Sequence, residues 1–290
     1  MAGNAQPLVA VTGSNGQLGQ ELQKLAPSYP GLRFIFLTRE NFPMDDENAI
    51  RDFLGSHSID FFINGAAYTA VDKAESEPDL AMQINGTTPG VIAEMLAMTG
   101  GKLIQISTDY VFDGQSAFPL SEEAPTDPLN VYGKTKRTGE ENAIRHNPQT
   151  MIIRTSWVYS GFGNNFVKTM LRLMSTRDTI SVVSDQRGSP TYAADLARAI
   201  LDIIVSPVFI PGVYHFSNEG EASWYEFALE IKRISGSTCQ VNPVDTAGYP
   251  TPAKRPAWSL LDKKKIRSNY QLSIPEWKTS LAVCMEELKK

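Results

Sequence analysis

The chain has 290 residues, with 27 lysines and arginines against 32 aspartates and glutamates, a formal charge of −5. That length suits one large α/β domain, or a domain with a subdomain, and buries a sizeable core. The mild acidity speaks against nucleic acid or a membrane surface as the main partner.

Apolar runs alternate with longer amphipathic stretches through the first half. PLVAVT, ending at Thr12, reads as a buried strand, and Gly16 to Leu25 as a helix. Phe34 to Leu37, Asp60 to Asn64, Lys102 to Ser107 and Met151 to Thr155 read as further strands. Short, continuously apolar strands separated by helical stretches predict parallel βαβ units with right-handed crossovers. Ala74 to Thr99 reads as helical but carries Pro78 and Pro89. Pro78 suits a first turn; Pro89 is expected to kink or split the helix, having no N–H and clashing with the turn before it.

Beyond about Gly161 the texture turns polar, with Gly- and Pro-containing stretches around helical pieces at Ala193 to Val205 and Trp224 to Ile234. The expected fold is a Rossmann-type, doubly wound parallel sheet with a smaller C-terminal substrate-binding lobe. Residues 1–160 mainly form the dinucleotide domain, and 161–290 mainly form the lobe, interleaved with the last strands. Cys239 and Cys284 stand far apart with no CxxC, which fits a reducing cytoplasm better than a disulfide framework or zinc site. No signal-peptide pattern opens the chain, and no apolar run reaches the ~18–20 residues of a membrane span.

The first strand runs into TGSNGQLG, a GxxGxxG pattern at a strand-to-helix turn. Gly13 permits the tight turn, Gly16 lets a pyrophosphate approach the backbone, and Gly19 lets helix and strand pack closely. The helix N-terminus adds unpaired donors and a positive dipole end. Asn15, Gln17 and Leu18 join Gly13 and Gly16 as candidate cofactor residues. The second strand ends at Thr38-Arg39. An acidic residue there would select NAD through the ribose 2′-OH, whereas a guanidinium suits the 2′-phosphate of NADPH. Arg39 fits that role or a solvated surface, so NADPH is favoured and NADH stays open. Asp45 suits either a helix cap or an adenine contact. Ala66, Ala67 and Tyr68, following the third strand, either admit a flat cofactor or simply pack tightly.

Tyr132 and Lys136 form a YxxxK pair, which shares one face of a helix. A phenol titrates at about 10, and an ammonium one turn away is expected to lower that value. The pair suits protonation of a carbonyl oxygen, and Lys136 can also hold a nicotinamide ribose. One strand earlier, STDYVF places Ser107 and Thr108 at a strand's C-terminal end, where open α/β sheets bind ligands. Lys134 points away from Tyr132 and reads as solvated. His57, His146 and His215 lie in no motif with a nucleophile, which weakens a Ser-His hydrolase reading.

The succession TGxxGxxG, AAYTAVDKAESEP, STDYVF, NVYGKTK, RTSWVY, GNNF and PTPAKRP resembles the dTDP-4-dehydrorhamnose reductase family of extended short-chain dehydrogenases. The resemblance spans nearly the whole chain. The STDYVF, NVYGKTK, RTSWVY and GNNF blocks are specific to this subfamily and its near relatives. It implies catalytic roles for Thr108, Tyr132 and Lys136, and substrate contacts for Thr108, Asp109, Tyr110, Tyr132, Trp157, Asn165 and Arg255. Tyr132 would donate the proton, Lys136 would tune it and bind the ribose, and Thr108 would polarise the keto group. Some members share a magnesium ion across a dimer through two glutamates. Glu21 matches the first, but Ala194 stands at the second, and the neighbouring Asp195 is rotated by about 100°. No metal is therefore expected, Glu21 reads as a helix surface residue, and the chain is expected to be a monomer or weak homodimer.

The implied reaction is NAD(P)H-dependent reduction of a dTDP-linked 4-keto-6-deoxysugar in the cytoplasm. Two other readings stay open. One is an NADP-binding regulatory subunit resembling the β subunit of methionine adenosyltransferase. The other is a reductase or epimerase of a different nucleotide sugar.

Overall fold

The computed structural model describes residues 6–289. Six strands lie side by side and all parallel: β1 (Leu8–Thr12), β2 (Arg33–Leu37), β3 (Phe61–Asn64), β4 (Lys102–Thr108), β5 (Thr150–Thr155) and β6 (Gly212–His215). Their order across the sheet is β2-β1-β3-β4-β5-β6. The chain reverses direction across the sheet at β1, which is flanked by β2 and β3. A ligand crevice opens above the strand C-termini at such a reversal.

Helices cover both faces, which is why β3 and β5 are buried along their whole length. On one face Val9, Val11 and Ile104 pack against Leu22 of α1 (Gln17–Leu25). On the other, Ala10, Phe62 and Leu103 meet Ile50 of α2 (Glu47–Ser56). The segment expected to be one proline-interrupted helix is split into α3 (Val71–Ala74), α4 (Pro78–Met82), a π-helical turn Gln83–Thr87, and α5 (Thr88–Thr99). Pro78 and Pro89 each sit in a first turn, where the missing N–H costs nothing.

That π turn has a purpose in the packing. It turns Asn85 towards the sheet edge, where the amide accepts from Tyr68 N at 2.8 Å and donates to Thr135 Oγ1 at 3.2 Å. Thr135 belongs to α6 (Val131–His146). The crossing between α6 and the π turn is so close that a Cβ on Gly139 would lie 2.0 Å from Asn85 O.

A second core gathers residues from the latter half of the chain. Val167 and Met170 of α7 (Phe166–Thr176) pack with Ile180, Phe227, Ile231 and Trp277. Yet Leu196 and Ile200 of α8 (Ala193–Val205), and Tyr214 of β6, join the first core beneath the sheet. The chain thus crosses back to the sheet after beginning the second core.

Glu21 is a correction. Expected on the helix surface, it is fully buried, and its Oε1 accepts from Ser160 Oγ at 2.6 Å. Desolvation holds its carboxyl above the ordinary range. The face of α1 that carries it is covered by the chain just after β5, so the residue joins the two rather than meeting solvent. Cys239 and Cys284 are buried free thiols. Among the described residues, no helix is long and apolar enough to cross a membrane.

The tight crossing gives a stability prediction. Alanine exceeds glycine in intrinsic helix propensity by about 1 kcal/mol. Gly139→Ala should nevertheless destabilise the fold by about 1–3 kcal/mol, because the atom it meets is backbone and cannot rotate away. Chemical denaturation would measure it, and a midpoint at or above that of the parent protein would disprove the packing argument.

Candidate functional site

A cleft of about 690 Å³ runs over the C-terminal ends of β1, β4 and β5. At one end lies the turn after β1. Gly13 adopts φ +67°, and a Cβ there would sit 2.9 Å from Ala66 N, so the turn presses directly on the chain after β3. Gly16 forms the N-cap of α1 without any side-chain cap, leaving the start of the helix open for a ligand. Gly13, Gly16, Gln17 and Leu18 line the cleft, while Asn15 is exposed at the tip of the turn and does not.

Arg39 and Asp45 both line this end. They approach each other at 3.6 Å, and the Arg39 side chain is 80 % exposed. The helix cap considered for Asp45 belongs to its neighbour: Asp46 Oδ1 accepts from Ala49 N at 3.0 Å. Ala66, Ala67 and Tyr68 form the wall between the two ends.

At the other end, β4 delivers Thr108 into a single 3₁₀ turn, Asp109–Val111. Thr108 Oγ1 accepts from Tyr110 N at 3.2 Å and donates to Asp109 Oδ1 at 3.1 Å. Helix α6 begins at Asn130, whose side chain accepts from Gly133 N at 2.8 Å and donates to Lys254 O at 2.7 Å. Gly133 lets the first turn of α6 settle on the Tyr110 carbonyl, which a Cβ would approach to 2.2 Å. These restraints hold Tyr132 against Thr108, with the Tyr110 ring edge-on at 5.6 Å. The Thr108 hydroxyl lies beside the Tyr132 phenol and favours its ionised form.

The electrostatics depart from the expectation for a YxxxK pair. Burial pushes the Tyr132 phenol up to about 12; the Thr108 hydroxyl opposes this, and the Asp109 carboxylate adds to it. Burial also brings the Lys136 ammonium down to about 8. Its Nζ donates to Ile106 O at 2.7 Å, turned towards β4. Desolvation of the phenolate therefore outweighs the influence expected from the lysine one turn away. Asp109 rises to about 6, because burial outweighs its hydrogen bonds with Ser259 and Thr108.

Trp157 also lines the cleft. It holds a left-handed φ of +48°, unusual for a bulky residue, and its indole stacks on Trp224 at 3.7 Å. Asn165 does not reach the wall, although its neighbours Gly163 and Asn164 do. Its side chain caps α7 by accepting from Lys168 N at 3.1 Å and ties to Gln17 Oε1 at 2.9 Å. Arg255 likewise lies outside the lining. Its guanidinium grips Asp72 at 3.0 and 2.9 Å and holds that carboxyl below its usual range.

Several participants escape local sequence reasoning. Glu140 and Arg154 form a buried bidentate pair at 2.8 and 2.7 Å beneath the Tyr132 end of the cleft, and Ser107 Oγ donates to Glu140 Oε1 at 2.6 Å. The signal for Glu140 was its spacing, four residues beyond Lys136 on the same helix face. Arg154 gave a weaker one, as a charge inside an otherwise apolar strand. Asp72 and Trp224 gave none, since each acts through a partner far away in the chain.

The description "RmlD substrate binding domain" fits residues 8–290. A protein of Sinorhizobium fredii named dTDP-4-dehydrorhamnose reductase is 41 % identical over 281 residues, covering 94 % of both chains. Among solved structures, a dTDP-4-dehydrorhamnose reductase of Clostridium acetobutylicum superposes with a TM-score of 0.94 at 39 % identity, covering 98 % of this chain and 100 % of that one. The Bacillus anthracis enzyme of the same name, solved in complex with NADP, gives 0.93 at 38 % identity over the same shares. Agreement from the first strand to the last helix, in sequence and in shape alike, makes this chain a member of the RmlD substrate binding domain family.

Proposed function

We propose that the protein reduces the C4 keto group of dTDP-4-dehydro-L-rhamnose to give dTDP-L-rhamnose, with NADPH as the reductant. The observation that carries this is the convergence of Thr108, Tyr132 and Lys136 at one end of a cleft whose other end is the glycine turn of β1. The residues present fit a dinucleotide. A Cβ on Gly13 would fill the turn, α1 opens uncapped into the cleft, and Arg39 stands free enough to meet a 2′-phosphate.

Gly13, Gly16, Gln17 and Leu18 would hold the pyrophosphate, with Asn15 at the outer tip of the same turn, Arg39 and Asp45 the adenosine end, and Ala66, Ala67 and Tyr68 the middle of the cofactor. Lys136 would hold the nicotinamide ribose. When bound, NADPH supplies the hydride to the carbonyl carbon. Thr108 polarises the keto oxygen through its hydroxyl, and Tyr132 passes its phenolic proton to that oxygen. A phenol raised to about 12 stays protonated at neutral pH, as a proton donor must.

On the substrate side, Asp109 and Tyr110 flank the sugar and Trp157 walls it. Asn165 acts through the Gln17 contact, and Arg255 takes the diphosphate by sharing or exchanging its Asp72 partner. In this reading residues 1–160 bind the cofactor and 161–290 chiefly receive the sugar. The protein works in the cytoplasm as a monomer or weak homodimer. In support, Ala194 offers no carboxylate for a bridging metal, and Glu21 is buried against Ser160.

Tyr132→Phe removes the proton while keeping the ring. Turnover should fall about 10²–10⁴-fold with NADPH binding retained. The assay follows NADPH oxidation with the 4-keto-L-sugar and no added protein; undiminished turnover would sink the assignment. Failure of the parent protein to turn over at all, despite binding NADPH, would move the weight to a regulatory role or another sugar.

Arg39→Ala should raise KM for NADPH about 10- to 100-fold and leave KM for NADH nearly unchanged, as loss of one charge-assisted contact costs about 1.5–3 kcal/mol. An equal rise for both cofactors would place Arg39 on a part common to the two, and no change with either would show that it faces only solvent.

A further inference from the structure

We infer that Glu140 is a positioning residue for the cofactor site: its carboxylate, fixed from two strands, is the counter-charge that keeps the buried Lys136 an ammonium aimed at the ribose. The inference deepens the reading in which Lys136 holds the cofactor.

Tyr132, Lys136 and Glu140 follow one another at four-residue spacing along α6, so they share its sheet-facing side. Lys136 is 4 % exposed and Glu140 1 % exposed. The charged and titratable groups facing this carboxylate are few. Arg154 comes from β5; Arg137, Lys136 and Tyr132 come from α6 itself; β4 offers the Ser107 hydroxyl and, beyond it, Asp109. Asp109 acts on Tyr132 and Tyr110, while the attraction that supports the charge on Lys136 comes from Glu140.

Arg154 and Ser107 fix the carboxylate in place, with Arg137 adding a contact at 3.3 Å. One of the Lys136 protons is committed to Ile106 O at 2.7 Å. An ammonium keeps two more N–H groups for a ligand; a neutral amine keeps one fewer and no charge. The carboxylate therefore decides how much of the lysine is a competent donor at a given pH. A merely structural ion pair would affect folding and leave that fraction alone.

The test is NADPH affinity, read by fluorescence titration at pH values on both sides of about 8. In the parent protein affinity should fall as pH rises through that value, since only the charged lysine binds fully. Glu140→Gln keeps the shape and removes the charge. The falling limb should then move down by about one pH unit, so that binding near pH 8 weakens by up to about tenfold, with affinity at low pH retained. Glu140→Asp keeps the charge and should hold the limb near its original position. If the single glutamine variant does not fold because it strands Arg154, Glu140→Gln combined with Arg154→Gln carries the test when compared with Arg154→Gln alone, since that pair differs only in the Glu140 charge. A folded single variant whose limb coincides with the parent's, or a double variant whose limb coincides with that of Arg154→Gln, overturns the inference. Lys136→Met run alongside reports on the underlying reading: it should abolish the limb, and a limb that survives it places the fault with the role given to Lys136 rather than with Glu140.

Discussion

The ion pair between Glu140 and Arg154 is the constraint on which the Tyr132 end of the cleft depends. It joins the middle of α6 to β5, and through Ser107 it reaches the C-terminal end of β4. Burying two such charges costs several kcal/mol per ion, which only bidentate geometry and further hydrogen bonds offset. Here both Glu140 oxygens are engaged, and the Arg154 guanidinium also lies over the Phe112 ring at 5.1 Å. A hydrophobic pair of equal volume would pack as well but would tolerate sliding. The bidentate pair does not, so α6 is fixed along the strand direction. Tyr132 and Thr108 come from different elements and need just that register to meet.

The same logic of distant elements meeting governs the rest of the cleft. The turn after β1 presses on Ala66, the π turn brings Asn85 to Tyr68, and Asn130 ties the start of α6 to Lys254. Each contact joins segments well apart in the chain, and each is made by backbone or by a short side chain with little freedom. The wall between the glycine turn and Tyr132 is consequently built from restraints of low conformational entropy. That suits a site whose reacting groups must already be in place when the ligand arrives.

How much of this was legible in the sequence depended on how local the physics was. The strands and the glycine turn were readable, because continuous apolar runs and a strand-to-helix glycine pattern are local signals; β1, β3 and β5 fall within a residue or two of their expected bounds. Pro89 was read correctly as a break, but no local signal announces a π turn, whose value lies in aiming Asn85 at partners elsewhere. Glu21 shows the converse. An acidic residue in the first helix looks solvated until the chain after β5 arrives with Ser160 to cover it. Arg255 was legible as a candidate cation, whereas its partner Asp72 was not, since 183 positions separate them.

The titration behaviour of Tyr132 and Lys136 carries the same lesson into chemistry. From spacing alone, an ammonium one turn from a phenol should make it more acidic. In the folded chain both groups are buried, and desolvation acts on each in the direction of its neutral form, raising Tyr132 and lowering Lys136. The two shifts drive apart values that begin nearly equal, to about 12 for Tyr132 and about 8 for Lys136, so the site holds a neutral phenol beside an amine whose charge is finely balanced. A neutral phenol is the state from which a proton can be given. A finely balanced amine responds to whatever charge is brought next to it, and the phosphate-bearing ligand proposed for this cleft is itself anionic. Binding of such a ligand would favour the ammonium, and the ammonium would in turn favour the phenolate formed as the proton leaves. The influence expected of Lys136 from the sequence would then come into force only once the cleft is filled, with the Glu140–Arg154 pair holding both side chains in place until it is.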